Sequence, residues 1–248
     1  MSIVWEQVQG GTRYQVRRAG GSLRLYTNGV LHSQYNAARP LTGSVWDLLT
    51  VPAFLLAPGA VQRVLVLGIG GGAVIQQLRR FVQPRTVVGV ELSTVHLAVA
   101  RRFFGVCGKG VRLVHADAVA WLRAYRGAPF DLVVDDLFGD ADGQPVRAVA
   151  ADRHWSALLL RHLAPHGVVV VNFPDREELE ASALRGEPRI RACFASAFRL
   201  STAQNDNAVG AFCRASATPR QLRERLRRTP GLDPRRSRLR YRIRSLPG

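Results

Sequence analysis

The chain holds 248 residues, 47% hydrophobic and 21% charged, with 35 basic against 18 acidic side chains and a formal charge of +17. This describes one or two globular domains with an ordinary core and a basic surface, and it excludes a wholly disordered chain or a disulfide miniprotein. Cys107, Cys193 and Cys213 are too scattered for a metal site, no apolar run is long enough to span a bilayer, and MSIVWEQVQG lacks a signal pattern. No metal, no membrane and a cytoplasmic location are therefore expected.

In chain order, IVWEQV, TRYQVRR and SLRLYTNGVLHSQY read as short antiparallel strands, with Asn28-Gly29 as a hairpin turn. This unit, residues 1–44, is too small to bury much alone and should pack on the main body or on a second copy of the chain. Val45 to Leu56 suits a short helix interrupted at Pro52. From Arg63 the runs RVLVLG, TVVGVE, VRLVHAD, DLVVDDL and GVVVVNF are continuous and apolar, separated by helix-like stretches. That texture predicts an α/β domain over residues 45–218, with a mainly parallel sheet covered on both faces and a ligand at the carboxyl ends of its strands. ACFASAFRLS and NAVGAFCRA predict an added antiparallel hairpin. Residues 219–248 form a third segment, a helix over PRQLRERLRRTPG and an extended RLRYRIR, with eleven arginines against Glu224 and Asp233. Its +9 reads either as a solvated or oligomer-contact surface or as a nonspecific contact with nucleic-acid phosphates.

Three features at strand ends point to a nucleotide. Gly68, Gly70, Gly71 and Gly72, before Ala73, permit a tight turn that brings backbone amides close to a ligand. Glu91 ends the second parallel strand, where an acid accepts ribose hydroxyls; as a bland alternative it is a surface acid. Asp117, before Ala118, either accepts an adenine amino group or merely caps the following helix. Together they favour an S-adenosyl ligand over a nicotinamide dinucleotide, although the loop also satisfies the relaxed dinucleotide fingerprint. After the fourth strand come Asp135 and Asp136. Alternation turns one toward the cleft, assigned to Asp136, where it suits a general base for an attacking amine or, more simply, loop polarity. The run from Asp140 to Gly143 does not fit a calcium loop.

In order, YTNGVLHSQY, VLVLGIGGGA, VVGVELS, VHADA, DLVVDDLFGD and LLLRHLAPHGVVVVNF resemble the spermidine synthase family, the polyamine aminopropyltransferases, over about residues 12 to 215. The resemblance implies a Rossmann-like class I methyltransferase fold with a seven-stranded sheet and a small N-terminal antiparallel unit. It also implies aminopropyl transfer from decarboxylated S-adenosylmethionine to a small amine or polyamine, without metal, in a homodimer formed through the N-terminal unit. By it, Glu91 is the ribose acid, Asp117 with Ala118 the adenine side, Asp136 the catalytic aspartate, with the family's second acid lost unless Asp140 reaches around, and Tyr35, Trp46, Asp47 and Phe138 the acceptor side. Three departures stand out. Gly71 replaces the family's loop aspartate, which holds the cosubstrate amine; Asp136-Leu137-Phe138-Gly139 replaces Asp-Ser-Ser-Asp; and Trp46-Asp47 replaces Tyr-Gln or Tyr-His. Methyl transfer from ordinary S-adenosylmethionine and a noncatalytic homologue are the alternatives.

Overall fold

The computed structural model describes residues 1–141 and 144–247, with the side chains of residues 140, 141 and 144 outside the description. Strands β1 (Ser2–Gln9), β2 (Thr12–Ala19), β3 (Ser22–Thr27) and β4 (Val30–Tyr35) form an antiparallel meander in sequence order. Asn28 (φ 48°) and Gly29 (φ 85°) are both left-handed, as a two-residue hairpin between twisted strands requires. The meander does not stand apart: Val16 and Leu25 are fully buried in the core of the main body.

Helix α1 (Val45–Thr50) runs into a 3-10 turn, Val51–Leu55, that contains Pro52. Strand and helix then alternate through β5 (Arg63–Leu67), α2 (Ala73–Phe81), β6 (Thr86–Glu91), α3 (Thr94–Arg102), β7 (Val111–His115), α4 (Ala118–Ala124) and β8 (Phe130–Asp135). A small hairpin, β9 (Phe138–Ala141) and β10 (Gln144–Arg147), precedes α5 (Arg153–Arg161) and the long β11 (Leu163–Phe173). Short helices α6 (Arg176–Ala181), α7 (Ala183–Gly186) and α8 (Pro188–Arg191) lead to β12 (Ser196–Ser201), β13 (Ala208–Cys213), α9 (Pro219–Arg228) and β14 (Arg242–Ser245).

The main sheet has the order β14-β12-β13-β11-β8-β5-β6-β7. The pairs from β11 to β7 are parallel, and β13, β12 and β14 each run antiparallel to the preceding neighbour. From β5 the chain builds outward through β6 and β7, then returns to β8 on the other side of β5. Ligands of open α/β sheets sit outside the strand ends at such a reversal. Val64, Val66, Leu132, Val134, Val168 and Val170 fill one face, while Leu65, Leu67, Val133, Val169 and Val171 fill the other. This explains the continuous apolar runs.

Among the described residues the main sheet has eight strands, where seven were expected. The eighth is β14, from the arginine-rich segment. Leu239 is fully buried and Tyr241 and Ile243 pack on the core, so alternation leaves the intervening arginines outside, a pattern suited to an edge strand on β12. Helix α9 is also integral. Thr218 and Gln221 form its capping box, Leu222 and Leu226 are buried, and the Arg225 guanidinium donates to the Phe54, Leu55 and Leu56 carbonyls that end the 3-10 turn.

Asp47, expected on the acceptor side, is instead a folding residue. Its carboxylate is buried and accepts from the Thr42 and Gly43 amides, the Thr42 hydroxyl and Gln77 Nε2. Burial pushes its carboxyl above the usual range while these donors oppose the shift. It thereby closes the turn into α1 and fastens that turn to α2.

Two outcomes are expected in urea denaturation. Leu239→Ala lowers unfolding free energy by about 2–4 kcal/mol because Leu239 belongs to the core; no loss would mean a detached tail. Asp47→Ala lowers it by about 2–4 kcal/mol because at least two buried amides lose their acceptor. An unchanged midpoint in this variant would return Asp47 to the ligand-binding candidates.

Candidate active site

A cleft of about 560 Å³ opens at the carboxyl ends of β5, β6, β8 and β11. A somewhat larger groove of about 620 Å³ lies between α4 and α5, but its one carboxylate, Asp152, is committed to capping α5. The cleft is the stronger candidate because loop amides and three carboxylates converge there.

The turn after β5 rests on the end of β8. Gly68 has φ +75°, and a Cβ on it would lie 2.3 Å from the Asp136 carbonyl, so only glycine fits. Gly68 and Gly70 line the cleft. Gly71 and Gly72 lie behind them, against other parts of the fold. A Cβ at Gly71 would come 2.8 Å from Phe104 Cζ and 2.9 Å from Ser33 Cβ, whereas Gly72 faces Val106. The position at which the family carries an aspartate is here a close-packed crossing of loop, helix and N-terminal sheet.

Glu91 ends β6 beneath this turn. Its Oε2 accepts the Ile69 and Gly70 amides at 3.0 and 3.1 Å, and its Oε1 accepts the Ser93 amide at 2.9 Å. His96 Nδ1 lies 3.6 Å from Oε1, and His96 Nε2 is 2.8 Å from the Thr27 hydroxyl of β3. Burial opposes ionisation of Glu91, but the His96, Ser93 and Ile69 contacts outweigh it and hold the carboxyl below its ordinary value. Asp117 caps α4 through Oδ1, 2.8 Å from the Ala120 amide, and also lines the cleft with Ala118. The capping reading is thus observed directly, with the residue beside the cleft.

The adjacent aspartates separate as strand alternation requires. Asp135 is fully buried; its Oδ2 accepts Arg147 Nη2 at 2.8 Å and Trp155 Nε1 at 2.7 Å. Asp136 faces the cleft, and its Oδ1 accepts Asn172 Nδ2 at 2.7 Å. Burial, joined by the neighbouring Asp135 and Glu91 charges, pushes the Asp136 carboxyl up to about 6 against the Asn172 hydrogen bond and the Arg147 charge. A carboxyl with that value changes protonation near neutrality, as a general base must.

Trp46 and Phe138 line the cleft as expected. Tyr35 does not: it packs on the core at the end of β4, in the field of Arg79 and Arg80. The Asp140 side chain lies outside the described residues, as do Asp142 and Gly143. Asn172, Asn207, Asn205 and His96 were not foreseen. Asn207 Nδ2 donates to Asn172 Oδ1 at 3.1 Å, and the Ser44 hydroxyl to Asn205 Oδ1 at 3.1 Å. Asn172 carried a usable signal, a polar residue closing the all-valine run of β11 at the same sheet edge as Asp136. Among the described residues, no cluster of His, Cys, Asp and Glu could hold a metal ion, and no helix is long and apolar enough to cross a membrane.

Residues 64–167 match the model of a methyltransferase domain family. Polyamine aminopropyltransferase 2 of Caldanaerobacter subterraneus is 33% identical over 106 residues, 42% of this chain and 35% of the relative. The polyamine aminopropyltransferase of Mycobacterium tuberculosis is 36% identical over 164 residues, 63% of this chain and 30% of the relative. The matched stretch therefore spans about a third of these relatives' own length. Among solved structures, a probable spermidine synthase from Corynebacterium glutamicum superposes with a TM-score of 0.74 over 99% of this chain and 91% of that one, at 15% identity. Human methyltransferase-like protein 13 in complex with SAH gives 0.61 over 73% and 88%, at 20% identity. The structural likenesses establish the shared α/β fold, and over the matched stretches the sequence is similar to several polyamine aminopropyltransferases.

Proposed function

We propose that the chain is a transferase that moves an alkyl group from the sulfonium of an S-adenosyl cosubstrate to a small nucleophile. The group favoured is the aminopropyl chain of decarboxylated S-adenosylmethionine, and the nucleophile an amine. The carrying observation is Asp136, a carboxylate at the cleft floor, oriented by Asn172 and raised to about 6 by its surroundings. The similarity to polyamine aminopropyltransferases supports the same reaction class.

The residues suit such a cosubstrate. Gly68 and Gly70 allow close backbone approach, Asp117 and Ala118 offer an adenine edge, and Glu91 Oε1 is the carboxylate oxygen for a ribose hydroxyl, in competition with His96. In the proposed step Asp136, ionised, orients the amine and takes its proton as nitrogen forms a bond to the carbon beside sulfur. The carbon–sulfur bond breaks with its electron pair going to sulfur, so neutral methylthioadenosine leaves. Trp46, Leu137 and Phe138 add an apolar wall to a cleft that also holds three carboxylates, which favours a reaction that disperses a sulfonium charge. The exposed Ile3, Val4 and Val8 of β1 support the N-terminal sheet as the face for a second copy.

Methyl transfer is the second reading, favoured by Gly71: Phe104 and Ser33 leave no room there for an acid to hold the cosubstrate amine. Release of methylthioadenosine supports the first reading, and of S-adenosylhomocysteine the second. Matched calorimetry is expected to favour decarboxylated over ordinary S-adenosylmethionine by at least about tenfold, about 1.4 kcal/mol.

Asp136→Asn is expected to lower kcat by about 10²-fold or more with cosubstrate affinity retained. Unchanged turnover at saturation would remove Asp136 as the base. The active form is ionised, so kcat/KM should rise with pH to a shoulder near 6 in the parent and lose that limb in Asp136→Asn. Since the Asn172 hydrogen bond holds the value down, Asn172→Ala should move the limb to higher pH; a stationary limb would assign it to another group.

A further inference from the structure

The strongest charge on the molecule is laid along a folded sheet edge remote from the cleft. Between Arg220 and Arg244 ten of the eleven arginines are exposed; Arg225, which holds the 3-10 turn, is the exception. The segment's two acids offset little of this. Glu224 bridges Arg228 at 2.6 Å, and Asp233 accepts the Arg235 amide within its own turn.

The arrangement is electrostatically unfavourable in the free protein. Arg244 of β14 stands directly opposite Arg199 of β12, and like charges in that relation destabilise a sheet. Burial, together with the Arg176 and Arg244 charges, depresses the Arg199 guanidinium, with Glu180 alone opposing. Glu180 is already shared between Arg176 and Arg185. Toward α9, Arg223 and Arg227 crowd Tyr241. The edge thus carries unneutralised arginine on both sides of β14, and an external polyanion would relieve the repulsion.

We propose that the β14–α9 edge binds the sugar-phosphate backbone of nucleic acid. Arginine suits this because its planar fork pairs with phosphate oxygens. A membrane is the poorer partner: Leu222, Leu226, Leu232 and Leu239 are all buried, and no large apolar side chain of this segment is exposed to enter a bilayer. None of these arginines lines the cleft, so this binding does not depend on the transfer reaction.

The test is fluorescence anisotropy with the full chain and labelled single-stranded RNA, single-stranded DNA and duplex DNA of equal length, across a salt series. Phosphatidylserine vesicles and polyglutamate represent the other anionic partners. Log affinity should fall linearly with log salt, and the double substitutions Arg242→Glu with Arg244→Glu, and Arg223→Glu with Arg227→Glu, should each weaken binding at least about tenfold and flatten the slope. Arg85→Glu with Arg112→Glu makes the same charge change on exposed residues elsewhere and should cost less than about threefold. Glutamine replacements at the four edge positions serve if a reversal pair misfolds, and they should act in the same direction. No nucleic-acid binding at about 0.05 M salt, an equal loss from the control pair, or stronger binding to vesicles or polyglutamate would each overturn the proposal.

Discussion

The cleft depends on a buried ion pair. Asp135 and Arg147 meet at 2.8 Å with side chains almost completely excluded from solvent, and Trp155 donates to the same carboxylate oxygen. Arg147 also reaches the Asn172 and Val149 carbonyls. One guanidinium therefore joins the end of β8, the base of the β9–β10 hairpin and the end of β11. Removing either partner of such a pair leaves an uncompensated buried charge, at a cost of about 3–5 kcal/mol. Because Asp135 is held inward, alternation turns Asp136 outward, and because β11 is held by the same group, Asn172 is in reach of it.

The glycine-turn side of the cleft depends on a second polar network that crosses between the two sheets. Glu91 accepts amides from the glycine turn, His96 approaches Glu91, and Thr27 of the N-terminal sheet bonds His96. Ser33 contributes a further link, its hydroxyl accepting the Ala73 amide at the start of α2. The N-terminal meander thus forms part of the wall that shapes the glycine turn, and the crowding around Gly71 follows from that contact.

The division of charge is consistent with these two roles. The cleft gathers three carboxylates at the strand ends, while +9 of the +17 lies in residues 219–248, on α9, β14 and the connection between them. The apolar residues between those arginines complete the core on the far side of β12, so the segment is basic outside and structural inside.

Much of this was legible in the chain. Continuous valine-rich runs separated by helices specify a two-sided parallel sheet, and glycine spacing with acids at strand ends marks its ligand edge, because both patterns follow from local backbone geometry. The choice of Asp136 over Asp135 needed only a period of two. Asp47, Tyr35, Gly71 and Gly72 lie off the cleft lining for a common reason: whether a side chain meets solvent or a neighbouring element depends on long-range packing, here of Gln77, Phe104, Ser33 and Val106. Asn172, Asn205, Asn207 and His96 were missed because their partners lie between 5 and 161 residues away in the chain. The sequence by itself determined the α/β alternation, the glycine turn and the acids at or just after the ends of β6, β7 and β8, which are encoded within a few residues; only the tertiary structure decided which acids line the cleft and which fasten the fold, since that depends on contacts the chain makes after it has closed on itself.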